Sequence, residues 1–158
     1  MTIVHKSVLL NYTAEQMYTL VENMESYPSF LPWCNSVDVC RDDVNHTAIA
    51  TISLNFCGIK QSFTTCNTNT APTSIQMKLV RGPFSKLDGR WTFTALNERQ
   101  CRVELHLNYD FSHFFLEKLV GPVFDIVSNS LVDSFCERAK KYMDNTECFI
   151  PVQICYAE

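Results

Sequence analysis

Glu104, His106 and Asp110 share the even positions of one short stretch of this chain. A carboxylate, an imidazole and a second carboxylate on one face are the parts of general acid–base catalysis. The same even positions also hold Arg102 and Asn108, while Cys101, Val103, Leu105, Leu107, Tyr109 and Phe111 hold the odd ones. Alternation of this kind buries the odd face and leaves the even face in water. The three titratable residues therefore read as part of a solvated charged face. His5, His46 and His113 stand alone in the sequence and read as surface or capping residues.

Cysteine could supply metal or redox chemistry, and the chain has eight: Cys34, Cys40, Cys57, Cys66, Cys101, Cys136, Cys148 and Cys155. No C-x-x-C occurs, and no His lies at zinc-ligand spacing from a cysteine pair. Met1 to Lys6 show no charged leader before an apolar block, so no secretory signal or transit peptide is expected. The thiols are then expected to be reduced and to pack as small apolar residues. No G-x-S-x-G, H-E-x-x-H, Walker loop or dinucleotide fingerprint is present, and Gly82-Pro83-Phe84 is too short to cradle a phosphate. No catalytic residue and no metal ligand is assigned.

The apolar residues carry more information. In 86–96 the odd positions are Leu87, Gly89, Trp91, Phe93 and Ala95, and the even ones are Lys86, Asp88, Arg90, Thr92 and Thr94. Together with 101–111 this makes an inward face that is large, aromatic and almost free of titratable groups. Such a face is either plain core or the wall of an apolar ligand pocket, and the pattern leaves both open.

The elements that position these faces follow from periodicity and turn residues. Thr2–Asn11 reads as a strand, and Thr13 with Gln16 is a capping box that starts a helix carrying Ala14, Met17, Tyr18 and Val21. Ser26–Leu31 reads as a short helical turn between Pro28 and Pro32. Six strands follow at 35–41, 46–56, 59–68, 74–81, 86–96 and 101–111, joined by hairpin turns, so the sheet is antiparallel. After His113 the period becomes helical, with Leu116, Val120, Val123, Val127, Leu131, Phe135, Ala139 and Tyr142 in one stripe. Gly121-Pro122 should kink that helix. A seven-stranded sheet curled around the long helix, its first strand paired with its last, satisfies the pattern.

The chain has 158 residues, 46% of them hydrophobic and 12% aromatic, which fits one folded domain and excludes a disordered chain. No run approaches the roughly 20 apolar residues that span a bilayer. Net charge is −4: residues 45–112 carry 7 basic and 4 acidic side chains, and the flanking segments are acidic. This is too weak a basic footprint for a dedicated nucleic-acid binder, and no DNA partner is expected.

Five stretches resemble a known family. They are Tyr12–Tyr18, Tyr27–Cys34 (Tyr-Pro-Ser-Phe-Leu-Pro-Trp-Cys), Ser62–Thr65, Gly82–Phe84 with Leu87–Trp91, and Gly121–Phe124 followed by Leu131–Phe135. In this order they resemble the coenzyme-Q-binding branch of the START-like (polyketide cyclase/dehydrase) superfamily, which includes the bacterial ribosome-association toxin proteins. The resemblance covers about residues 2–143 and implies an α+β helix-grip fold, with two short helices after strand 1. Cys66 and Arg81 depart from the family pattern, which expects Arg and Asp there.

The resemblance implies non-enzymatic binding of a hydrophobic small molecule, ubiquinone or another polyisoprenoid lipid, in support of respiratory electron transport. No cofactor is required beyond that bound ligand. Trp91, Phe93, Leu105, Leu107, Tyr109, Val123 and Val127 are the expected lining, with Trp33 and Phe84 as exposed aromatic tips at the entrance. The alternative is a toxin that binds the large ribosomal subunit and blocks subunit joining, with Lys78, Arg81, Lys86 and Arg90 as candidate rRNA contacts. The expected location is the cytoplasm, with transient contact at the inner membrane. Residues 1–143 are expected to form the START-like domain, and 144–158 a tail whose alternation suggests an edge strand or an extended segment docked on the surface, with a frayed end as the alternative.

Overall fold

The computed structural model describes residues 1–143 and 156–157. Val, Ile and Leu in the first ten residues form β1 (Thr2–Leu10). Thr13 then caps α1 (Ala14–Glu22): its Oγ1 accepts from Gln16 N at 3.1 Å, and Gln16 Oε1 accepts from Thr13 N at 2.8 Å. The expected capping box is present, and Ala14, Met17, Tyr18 and Val21 are the buried face of the helix. A 3-10 helix, Met24–Ser29, begins two residues earlier than the sequence suggests.

Six hairpin-connected strands follow: β2 (Cys34–Asp42), β3 (Thr47–Phe56), β4 (Ile59–Thr70), β5 (Ser74–Arg81), β6 (Phe84–Ala95) and β7 (Cys101–Phe111). The β3–β4 hairpin turns on two residues, Cys57 and Gly58, at φ values of 53° and 77°. Positive φ at both positions is what a tight turn matching strand twist requires. With a two-residue β8 (Tyr156–Ala157), sheet order is β2-β3-β4-β5-β6-β7-β1-β8, so β1 pairs antiparallel with β7 as expected. Tyr156–Ala157 pair with Val8 and Ser7 along the far side of β1, an edge strand from the tail that makes eight strands where the domain alone suggests seven. The rest of the tail, and with it the alternation at 148–154, lies outside the described residues.

Register brings the inward faces together as the alternation predicts. Leu105 lies opposite Trp91, Leu107 opposite Gly89, and Tyr109 opposite Leu87. Against this face packs α2 (Phe114–Met143), which runs through Gly121 and Pro122 as one helix. Its buried stripe includes Val120, Val123, Val127, Phe135 and Ala139, but Tyr142 is exposed and stacks on Arg138. By composition α2 could cross a bilayer, yet half of its most apolar window is buried against the sheet, which makes it a core helix here.

Candidate functional site

Between the curled sheet and α2 lies an apolar cavity of about 80 Å³. Its walls come from every layer: Val21 and Glu22 at the end of α1, Met24 and Tyr27 from the 3-10 helix, and Trp33 just before β2. Ile52, Phe63, Ile75, Met77 and Leu87 come from the sheet, and Leu131 and Phe135 from α2. Of the residues expected to line it, Trp33, Trp91, Leu105, Leu107 and Val127 do so.

Phe84, Phe93, Tyr109 and Val123 are placed elsewhere in the core. Phe84 and Tyr109 belong to an aromatic cluster with Phe63, Phe111 and Phe124, whose ring centroids lie 4.6–6.3 Å apart. That cluster fills the end of the fold beside the first turns of α2, where Val123 also sits buried. Phe93 turns toward α1 and meets Tyr18 edge-on at 5.7 Å. Parity identifies the inward face but not the level along the strand, and the cavity occupies only one level. The expectation of exposed aromatic tips is corrected: Trp33 and Phe84 are each 5% exposed, because both rings fold into the core.

Sequence reasoning missed the polar part of the wall. Thr65 and Asn67 on β4 are buried and line the cavity, and the Thr65 hydroxyl donates to Asn67 Oδ1 at 2.9 Å. Alternation of Phe63, Thr65 and Asn67 was the available signal, but it pairs polar residues with an inward face. At the rim, Glu22 and Asn69 belong both to this cavity and to an open polar cleft that also includes Tyr18, Asp42, Asp43 and His46. Burial pushes the Glu22 carboxyl above its ordinary value, and Arg41 pulls it back. Arg41 Nη1 donates to Glu22 Oε1 at 2.7 Å, and its Nη2 donates to Glu25 Oε1. The Tyr27 hydroxyl donates to the Val21 carbonyl, and burial holds it far above the ordinary phenol range.

The outer face looks different. Lys78, Arg81, Lys86 and Arg90 are all exposed. Lys78 lies opposite Asp88, Arg90 opposite Gln76 and His106, and Lys86 opposite Asp110. Lys86 Nζ is 3.8 Å from Asp88. Arg81 stands apart at the end of β5. Positive and negative charges thus alternate across this face. Glu104 and His106 lie on it with them, which agrees with a solvated face. Among the described residues, no three His, Cys, Asp or Glu side chains gather as a metal site. The six described cysteines are free.

The chain is similar over 138 residues, at 40% identity, to a protein of Vibrio cholerae named ribosome association toxin RatA; the match covers 87% of this chain and 95% of that one. It is 23% identical over 142 residues to the mitochondrial coenzyme Q-binding protein coq10 of Schizosaccharomyces pombe, covering 85% and 84% of the two chains. In structure it resembles the Zhui aromatase/cyclase of Streptomyces sp. R1128, with a TM-score of 0.80 at 10% identity over 93% of this chain and 99% of that one. At that identity the likeness shows the fold alone, a sheet gripping a long helix. The sequence pattern described as polyketide cyclase/dehydrase and lipid transport matches residues 10–136, from the end of β1 well into α2 and across every wall of the cavity, and the chain belongs to that family.

Proposed function

We propose that the chain associates with the ribosome, binding the large subunit and hindering subunit joining. The observation that carries this reading is the 40% identity, over nearly the whole described fold, with a protein named for ribosome association. Lys78, Lys86 and Arg90, with Arg81 at the strand end, are the proposed contacts to rRNA. If these cations meet rRNA phosphates, co-sedimentation falls steeply as salt rises. Co-sedimentation of the protein with purified large subunits, across a salt series, tests this. The Lys86→Glu/Arg90→Glu variant should lose pelleting; binding that ignores both salt and charge reversal removes this surface from the reading. A cytoplasmic location goes with it.

A second reading is favoured by the cavity itself: binding, without catalysis, of ubiquinone or another polyisoprenoid lipid. The lining is apolar, and among its described residues the titratable groups Glu22 and Tyr27 are engaged by Arg41 and the Val21 carbonyl. At about 80 Å³ the cavity is well below the roughly 300–1,000 Å³ of ordinary ligand pockets. A ligand must therefore displace flexible lining such as Met24, Met77 and Leu131. Phe114, Phe115, Leu119 and Ile126 are exposed along the first half of α2 and supply the apolar surface for transient contact with a membrane. Organic extraction of the purified protein and mass spectrometry of the extract test this reading; an extract free of any stoichiometric lipid counts against it.

A further inference from the structure

Trp33 lines the cavity and is buried, yet its indole Nε1 has no hydrogen-bond partner. A buried donor left unpaired costs about 1–3 kcal/mol, and such groups are rare enough in folded proteins that each calls for a reason. Asn67 stands in the same lining, 3% exposed. Its Oδ1 is taken by the Thr65 hydroxyl, and its Nδ2 has only the Met24 thioether, 3.4 Å away. A thioether sulfur is a weak acceptor. The lining thus presents one donor with no acceptor and a second with a poor one.

The titratable groups of the wall are partnered within the protein. The Glu22 carboxylate is held by Arg41 at the rim, and the Tyr27 O–H, which could itself have met an acceptor, already donates to the Val21 carbonyl, so Trp33 and Asn67 are the buried donors left over. No cationic side chain belongs to the described lining. An occupant that completes this wall must bring an acceptor oxygen, carry no charge, and be apolar elsewhere, because charge in such a place goes uncompensated.

We infer that the cavity takes a neutral, mainly apolar molecule whose carbonyl oxygen accepts hydrogen bonds from Trp33 Nε1 and Asn67 Nδ2. This rests on the ligand-binding reading above and deepens it, since it states which end of the ligand lies against β4 and the β2 entry. Met24 gives up its contact with Asn67 when the oxygen arrives, and its flexible side chain is free to make the room the cavity lacks.

Two probes of matched shape separate the inference from the reading beneath it: acetylnaphthalene, which has the carbonyl, and isopropylnaphthalene, which does not. Each is titrated by ligand-observed NMR into the full chain and into the Trp33→Phe and Asn67→Leu variants. Trp33→Phe removes the N–H and keeps an aromatic ring; if it does not fold, Asn67→Leu carries the test. The ketone should bind about five- to tenfold more weakly to each variant, the loss of one hydrogen bond, while the hydrocarbon changes less than about twofold. Equal losses for both probes, or no loss for the ketone, overturn the inference and leave the ligand-binding reading standing. If neither probe binds the unaltered protein, that reading falls and the inference with it.

Discussion

Arg41 joins β2 to the last turn of α1 by placing Nη1 2.7 Å from Glu22 Oε1, at the rim shared by the internal cavity and the outer cleft. Both side chains are 28% exposed, so the pair is neither fully screened nor fully desolvated.

Arg41→Met should lower stability at neutral pH by about 1 kcal/mol. Burial already raises the folded-state pKa of Glu22, and Arg41 is the largest influence opposing that rise. Without it, Glu22 titrates at still higher pH in the variant. A raised folded-state pKa means stability that is present below the unfolded carboxyl range and lost as pH rises through the folded value. The deficit of Arg41→Met should therefore be small at pH 4 and larger at pH 7 in urea titrations. A deficit that does not grow with pH counts against this role.

Gly82 sits at φ 151°, and a Cβ there would lie 2.7 Å from Phe63 Cβ. Gly82→Ala should cost about 1–3 kcal/mol, because it strains the backbone and pushes on the ring that meets Phe84 and Phe124. Thermal melts check this, and a melting temperature within a degree of the parent contradicts the close approach.

Burial pushes the thiols of Cys34 and Cys101 up to about 11 and that of Cys136 up to about 12. The thiolate is the reactive form. Native protein treated with a maleimide at pH 7.5 should label Cys40 and Cys57, which are exposed, and spare those three. Peptide mapping by mass spectrometry reads the outcome, and early labelling of Cys136 means that α2 leaves the sheet.

Asp42 organises the β2–β3 turn: its carboxylate accepts from the Asn45 side chain at 2.7 Å and from the backbone N–H groups of Val44 and Asn45. The Asn45 bonds are the main cause of a carboxyl held below its ordinary value of 3.8. A lowered folded-state pKa gives stability that is present above the unfolded value and lost as pH falls through the folded one. The melting-temperature gap between the parent and Asp42→Ala should then be constant at neutral pH and close below about pH 4.

The strand faces, the capping box at Thr13 and the β1–β7 closure were all legible in the sequence. Each depends on local period or on turn residues, and both are written in neighbouring positions. The cavity was legible by face and not by level. Leu105 and Tyr109 share a parity, yet one lines the cavity and the other fills the aromatic end, where Tyr109 also donates to Asp125 on α2. That choice is made by long-range contacts between β7 and α2. Trp33 reads as a loop tip because Pro32 precedes it; its burial follows from the packing of the 3-10 helix against β2. Asn67 looks like a solvent-facing strand residue, and the register between β4 and its neighbours turns it inward.

The position of β1 has a consequence for how the chain reaches its native state. The hairpins from β2 to β7 join segments that are close in sequence, whereas Leu10 pairs with Cys101 and Thr2 with Tyr109. Closing a loop of roughly a hundred residues loses chain entropy before any contact repays it, and topologies of this kind fold slowly. The meander is then expected to assemble first, with β1 entering late beside β7. Val8 is 1% exposed in that late ladder, so Val8→Ala should speed unfolding and leave refolding nearly unchanged in stopped-flow experiments. Slowed refolding with unaltered unfolding would instead put β1 in the nucleus, and the first strand made would also be the first to find its place.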